Sequence, residues 1–587
     1  MNLMHDPLRL LLTEALFKAI SKLGVNLEKA EIYNQLVDPP NTDLGHLAFG
    51  CFILAKNLKK APLAAAAELK NLVGEILGVT SVEGAGPYLN FKFSSAILAE
   101  KVVIPASSGE LFKRQFTEKT PKGMIEYSQP NTHKEIHVGH MRNLCLGDSL
   151  IKLLRYAGHE IVSTTFPGDV GTHVAKCLWY IKKHVGLDVL DKKRSDPHRG
   201  EWLGQMYSAA NIKLEDEVKT DNYESNKKEL TEILKQLERQ QGEFYDLWKE
   251  TRQWSIDLMN TVYTWAGVQF DVWYWESDVD ADSVKMVKKY FEEGKLVQSQ
   301  GAIGLDFESE NLGFCMLLKT DGTGLYATKD IELARRKFQD HHVEKSIYVV
   351  DVRQALHFKQ VFRSLEVLGF PQAKNCFHLQ YNFVELPDGA MSSRKGNVIP
   401  LMDLVSQMKK HVKTEYLSRY NDEWDAAEVE SVSDCVAQGA IKYGMLRQDT
   451  NKKIVFDMAE WLKLDGESGP FIQYSYARIQ SVIKKFSVKS LSFDGALLAD
   501  PAEIKLMQHL MNFNSVVLMA ADNYRPSALC TYLYEAAKKF NVFYHECSIG
   551  KAETEELKKS RLALAAATAQ ILKQGLALLG IPVPERM

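Results

Sequence analysis

The sequence predicts an α/β protein built on a parallel sheet, and three observations predict it. Strand, loop, helix and strand follow one another between Gly123 and Phe166; strand, helix and strand return between Ser346 and Leu386; everything after Pro400 is patterned as helix almost to the end. Alternating strands and helices are the signature of a parallel sheet covered by helices. At about 150 residues per domain, the 587 residues correspond to roughly four structural units.

Taken in order, residues 1–75 carry helical patterns interrupted at Pro39-Pro40, and Val82–Phe93 reads as a turn feeding a strand. Residues 95–120, with Pro105, Ser107, Ser108 and Gly109, read as a loop and candidate linker. Met124–Tyr127 is a short strand broken by Ser128-Gln129-Pro130-Asn131. His137–Ala157 reads as a helix, and His159–Phe166 as a strand ending in Pro167-Gly168-Asp169. The second half supplies strand Ser346–Val352, helix Ala355–Gly369 and strand Cys376–Leu386. About 175 residues separate the halves and include a charged helical stretch near Asn226–Glu250, so a doubly wound domain is expected to be split by an insertion. The expected boundaries are 1–115 for a small α+β domain, 116–460 for the α/β domain with its insertion at about 180–305, and 461–587 for an all-α domain.

Composition narrows the function classes. Hydrophobic residues at 45% and charged residues at 25% exclude disorder, collagen and a disulfide scaffold as global descriptions. Leu506–Ala521 is uncharged but short and holds Gln508, His509, Asn512 and Asn514, which is poor for a membrane span. Met1–Leu12 reads as the start of an amphipathic helix, with no cleavage site of a signal peptide. Eight scattered cysteines without a C-x-x-C pair read as free thiols in a reducing cytoplasm. A net charge of −3 argues against a DNA packager, yet allows a large RNA-binding enzyme with its cations on one face.

Two segments carry chemistry. In Tyr127–Asn143, YSQPNTHKEIHVGHMRN, the run His137-Val138-Gly139-His140 follows a strand and opens a helix. A helix N-terminus offers unpaired N–H groups and partial positive charge to phosphates. Gly139 permits close approach, and His137 and His140 share a face from which both can donate. Two histidines in isolation are more often exposed, core-satisfied or half a zinc site, but no cysteine pair lies nearby. The second segment, Ala390–Val398 (AMSSRKGNV), gathers Met391, Ser392, Ser393, Arg394 and Lys395 on one loop, a set suited to β- and γ-phosphates.

The first segment resembles the His-Ile-Gly-His signature of class I aminoacyl-tRNA synthetases, and P-N-x-x-K-x-x-H-V-G-H-x-R resembles the arginyl family in particular. The second resembles the class's Lys-Met-Ser-Lys-Ser loop, with Ala390 and Ser393 in place of its two lysines. The resemblance implies a Rossmann-like catalytic domain, an N-terminal domain meeting the tRNA D-loop and a helical anticodon-binding domain. It implies that ATP, brought with Mg²⁺ and without a permanent cofactor or metal, is bound by His137, Gly139, His140 and residues 391–395. Lys134 or Lys395 would then replace the missing lysine, and Arg142 is expected close by. Arginine would be recognised by Glu126, Asn131, Tyr326, Asp330 and Gln360; taken singly, these residues read more plainly as an N-cap, core or helix surface. Asp169-Val170-Gly171-Thr172-His173 departs from the family's Asp-Trp-Gly-Thr-Gln.

Gly466–Val482 resembles the start of the anticodon-binding domain, with Tyr474, Tyr476 and Arg478 as stacking faces and a cation, and GAGPYLNF offers Tyr88 and Asn90 as tRNA contacts. The resulting expectation is a cytoplasmic, monomeric ligase of arginine and its tRNA, independent of membrane and DNA. A class I enzyme of another specificity and a silent tRNA-binding paralogue are the alternatives.

Overall fold

The computed structural model describes residues 6–41, 43–113, 120–387, 389–390 (backbone), 399–420, 422–486 and 493–587. It resolves into two compact units: Lys119–Ser418 with Ile441–Trp461, and Met1–Glu118 with Arg419–Ala440 and Leu462–Met587.

The first unit is built on five strands: β1 (Gly123–Glu126), β2 (Ile161–Thr165), β3 (Val272–Trp273), β4 (Lys345–Asp351) and β5 (Cys376–Tyr381). They lie in the order β5-β4-β1-β2-β3, every pairing parallel. All four residues of β1 are buried, as a central strand covered on both faces requires. Helix α1 (Val138–Tyr156) carries the chain from β1 to β2, and it packs so closely on the strand that a Cβ at Gly147 would lie 2.2 Å from the Tyr127 ring. Helix α2 (Glu243–Ala266) precedes β3, α3 (Tyr326–Asp340) precedes β4, and α4 (Ala355–Val367) joins β4 to β5. The chain leaves β1 toward β2 on one side and returns as β4 on the other. That reversal opens a crevice at the C-terminal ends of β1 and β4.

Two readings change here. The strand read as Cys376–Leu386 is two: β5 stops at Tyr381, and Val384–Leu386 turns away to pair with Ile454–Val455. The stretch read as an insertion contributes the sheet's edge strand, because β3 pairs with β2. Two residues, Val272 and Trp273, give no alternation to read. The stretch also holds an antiparallel sheet of Val297–Ser299, Ala302–Phe307 and Gly313–Leu318.

In the second unit, a four-stranded antiparallel sheet combines Leu36–Val37, Leu47–Gly50, Val79–Ala85 and Tyr88–Phe93. Strand Leu47–Gly50 lies in what reads as helix; its four residues are all buried, so alternation is lost. Helix Pro7–Lys22 starts on Asp6, whose carboxylate accepts from the N–H groups of Leu8 and Arg9 at 2.8 and 3.1 Å. The segment read as a linker is helical over Ser95–Leu98, Ala99–Val103 and Ile104–Ser108. Pro105 lies at the start of the last of these, directly after the wider π-helical turn Ala99–Val103. Helices Gly469–Phe486, Pro501–Met511, Phe513–Asp522, Pro526–Glu546 and Glu555–Leu578 make the C-terminal part all-α. No helix of the described residues is long and apolar enough to cross a membrane.

Candidate active site

A cleft of about 620 Å³ lies at the crevice, walled by the ends of β1 and β4, the start of α1 and one face of α3 and α4. One end is the N-terminus of α1. His137 caps the helix: its Nδ1 accepts from the Gly139 N–H at 3.1 Å, while Nδ1 of His140 accepts from the His137 N–H at 3.1 Å. Both Nδ1 atoms being acceptors, each ring carries its proton on Nε2. Burial, then the nearby Lys134 ammonium, pushes His137 down to about 4, and burial, His137 and Lys134 hold His140 well below the ordinary imidazole range. The rings lie 3.9 Å apart, as two neutral rings can. The site is a pair of uncharged Nε2–H donors at the positive end of a helix dipole, built for anionic oxygens.

The loop feeding this helix is held in an unusual backbone conformation. Ser128 and His133 have φ of 54° and 57°, a region disfavoured for side chains with a Cβ. Surrounding groups secure both. The Ser128 N–H donates to Asn143 Oδ1 at 2.6 Å, and Asn143 donates to the Val349 carbonyl at 2.8 Å. The His133 N–H donates to Ser255 Oγ at 2.9 Å, and its ring pairs with Thr251 Oγ1 at 2.8 Å, both on α2. The Thr251 hydroxyl donates to the Leu247 carbonyl, so it accepts from His133 Nε2–H. Burial pushes His133 down to about 3. A Cβ at Gly168 would sit 2.4 Å from Asn131 Oδ1, so only glycine leaves room for Asn131. His133 and its hydroxyl clamps went unread in the sequence; the histidine immediately preceding Lys134 was the available signal.

At the other end stand carboxylates, each bonded to a basic side chain of this chain. Asp330 on α3 accepts from His357 Nε2 on α4 at 2.6 Å. Glu126, closing β1, pairs with Lys337, whose ammonium lies 4.0 Å from the Tyr348 ring centroid; Gln129 also donates to it at 3.1 Å. Glu276 is paired with Lys329 at 2.6 Å, and Lys329 also reaches Asp280 at 3.2 Å.

The cleft thus brings together Glu126, Asn131, His137, Gly139, His140, Tyr326 and Asp330. Gln360 is not among its lining residues: its amide donates to the Leu312 carbonyl at 2.7 Å. Gln354 lines the cleft instead, and its place just beyond the C-terminal end of β4 was the signal that could have found it. Lys134 lies behind the histidines with its ammonium 5.1 Å from the Tyr207 ring centroid. Arg142, expected near the nucleotide, is buried and donates to the carbonyls of Asp449 and Lys452, each at 3.0 Å. In the divergent loop, Asp169 is fully buried and takes Arg252 at 2.7 Å, while His173 Nε2 donates to the Gly168 carbonyl at 3.2 Å. Met391, Ser392, Ser393, Arg394 and Lys395 lie outside the described residues.

Of the residues read as tRNA contacts, Tyr88 is exposed, and Tyr474 and Arg478 are half-buried and bonded to each other at 3.1 Å. Asn90 and Tyr476 are corrected: both are buried, Asn90 in the N-terminal sheet and Tyr476 in a helix core, where its hydroxyl donates to Glu585 at 3.3 Å. Among the described residues no group of three or more His, Cys, Asp and Glu side chains is arranged to hold a metal ion.

Comparison with known proteins places this geometry among relatives. The family profile described as class I tRNA synthetases (R), catalytic domain, matches residues 106–458; that of the DALR anticodon binding domain matches 472–587; and that of the arginyl tRNA synthetase N terminal domain matches 10–93. The chain is 60% identical to an arginine–tRNA ligase of Bdellovibrio bacteriovorus over 99% of its own length and 100% of the relative's. It is 35% identical to that of Clostridium beijerinckii, covering 96% and 98% of the two chains. The solved arginyl-tRNA synthetase of Thermus thermophilus superposes with a TM-score of 0.80 at 27% identity, covering 99% of this chain and 100% of that one.

Proposed function

The chain belongs to the arginyl-tRNA synthetase family of class I enzymes and ligates arginine to tRNA using ATP, and from that premise we propose how its own residues divide the work. The carboxylate of arginine attacks the α-phosphorus of ATP, pyrophosphate leaves, and the 2′-hydroxyl of the terminal tRNA adenosine then takes the arginyl group from the adenylate, releasing AMP. The observation that carries this division is the polarity of the cleft, with neutral donors at the α1 end and paired carboxylates at the α3–α4 end.

His137 and His140 donate from Nε2 to phosphate oxygens and stabilise the charge that builds on them as pyrophosphate leaves. Asn131 holds the amino-acid backbone of the substrate. Asp330, Tyr326 and Glu126 receive its two polar ends, and Gln354 takes the role read for Gln360. Lysine is rejected because an ammonium leaves part of this acceptor set unpaired. ATP brings Mg²⁺ and no permanent cofactor is needed. Residues 1–115 and 461–587 meet the tRNA, through Tyr88 and through the Tyr474–Arg478 pair. The eight free cysteines support a reducing, cytoplasmic setting.

ATP–pyrophosphate exchange across the amino acids, with and without tRNA, tests the reading. Exchange is expected with arginine and bound tRNA. Exchange driven by another amino acid overturns the specificity, and none at all points to a silent tRNA-binding protein. In the same assay Lys134→Ala is expected to slow exchange by roughly 100-fold. Near wild-type exchange would leave the missing lysine's role to Lys395.

A further inference from the structure

The acceptor proposed for the substrate's guanidinium is already engaged. His357 Nε2 reaches Asp330 Oδ2 at 2.6 Å, both side chains line the cleft, and among the described residues no other group bonds that imidazole or the second oxygen, Oδ1. From this geometry we infer that His357 is the positioning residue of the arginine pocket: it fixes Asp330 by one oxygen, and a guanidinium arriving at the other displaces a proton from the imidazole to solvent. The inference rests on the reading of Asp330 as the arginine acceptor and says how that acceptor is set.

Burial alone drives the His357 imidazole toward its neutral form, but the hydrogen bond and charge of Asp330 outweigh burial and raise its pKa above 6.5. Three charged or titratable groups around it, among the described residues, are committed elsewhere. Lys329, one residue before Asp330 on α3, is held by Glu276 and Asp280. Arg353, at the start of α4, is held by Asp351 at 2.8 Å. His378 on β5 donates to the Val350 carbonyl at 3.0 Å and packs on the Phe358 ring, and burial, its largest influence, lowers its pKa. The imidazolium therefore depends on Asp330 alone. A guanidinium on the same carboxylate shares that support and adds a like charge within a few ångströms, so the proton is the mobile partner.

The sign follows. The pKa is raised in the free cleft and falls when arginine binds, so binding releases protons and affinity rises with pH between the two values. One proton permits at most a tenfold change per pH unit. Calorimetric titration of the full chain with L-arginine, at pH 7 in two buffers of different ionisation heat, reads the protons released. The wild type is expected to release up to one, and its Kd to fall by up to tenfold from pH 6 to 7. His357→Gln, which keeps a neutral donor to Asp330, is expected to release none and to bind with a Kd independent of pH; His357→Ala, lacking the donor, binds several-fold more weakly than His357→Gln. Unchanged proton release in His357→Gln, or none in the wild type, overturns the inference. Asp330→Asn separates the two layers. Arginine binding unaffected by it sinks the reading of the acceptor; binding lost in it while His357→Gln still releases a proton sinks only the role of His357.

Discussion

The two ends of the cleft solve the problem of buried polarity in opposite ways. At the α1 end the charge is removed: His137 and His140 are neutral, and the positive field comes from N–H dipoles and the nearby Lys134 ammonium. At the α3–α4 end the charge is kept and balanced in advance, Asp330 by His357, Glu126 by Lys337 and Glu276 by Lys329. An imidazole can shed its proton when buried, whereas a carboxylate that must meet a cationic substrate has to stay ionised and so needs a resident partner until that substrate arrives. An anion-binding end can therefore be built from one helix terminus. A cation-binding end has to draw on several elements.

The largest effect is expected where a resident partner is removed. Lys337 is fully buried and Glu126 almost so. Lys337→Met leaves an uncompensated carboxylate at the end of the central strand and is expected to lower stability by about 3–5 kcal/mol in chemical denaturation. Adding Glu126→Gln should restore part of that loss. A single variant as stable as wild type would mean the pair is not needed to keep Glu126 in the fold, and the contrast between the ends would lose its main support.

The other end is probed through its donors. His140→Ala removes one preorganised N–H from the phosphate site and is expected to reduce the rate of exchange by about 100-fold at saturating arginine, with KM for arginine changed little. If KM for arginine rose instead, the division of the cleft into two chemistries would be wrong.

Acid separates the two ends by stability. The neutral, buried His133 binds a proton when unfolded below pH 6.5 but not when folded until pH about 3. The unfolded chain thus holds more protons between these values, and stability is lost as pH falls through that window, at about 1.4 kcal/mol per pH unit for this residue. His133→Gln is expected to flatten the acid limb of a denaturation-midpoint profile by that amount. An unchanged slope would place the acid sensitivity elsewhere.

How far these features were legible follows from their chemistry. The end proposed to meet phosphate lies in one contiguous segment, so spacing and residue type could single out His137, Gly139 and His140 as candidates. The strands β1, β2 and β4 were legible because short, largely buried runs of β-prone residues stand out against helices on either side. The arginine end is assembled from β1, α3 and the β4–α4 junction, and its pairings span 27 residues in one case and 211 in another, which no local pattern encodes. The left-handed φ at His133 and the short β3 were equally invisible, since both depend on packing against α2 and β2.

The smallest effect discriminates between two glutamines six residues apart. The family resemblance put Gln360 on the substrate side. In the fold, the last residues of β4 and the turn that follows carry Gln354 into the cleft, while Gln360 is spent on the Leu312 carbonyl of the antiparallel sheet. A neutral hydrogen bond contributes about 0.5–1.5 kcal/mol, so Gln354→Ala is expected to raise KM for arginine by roughly two- to tenfold without altering KM for ATP. Gln360→Ala should leave KM for arginine unchanged and lower the denaturation midpoint slightly, because it strands a carbonyl. Were Gln360 the substrate contact, the two variants would exchange phenotypes. The split into strand, turn and helix between Asp351 and Ala355 is what keeps them apart.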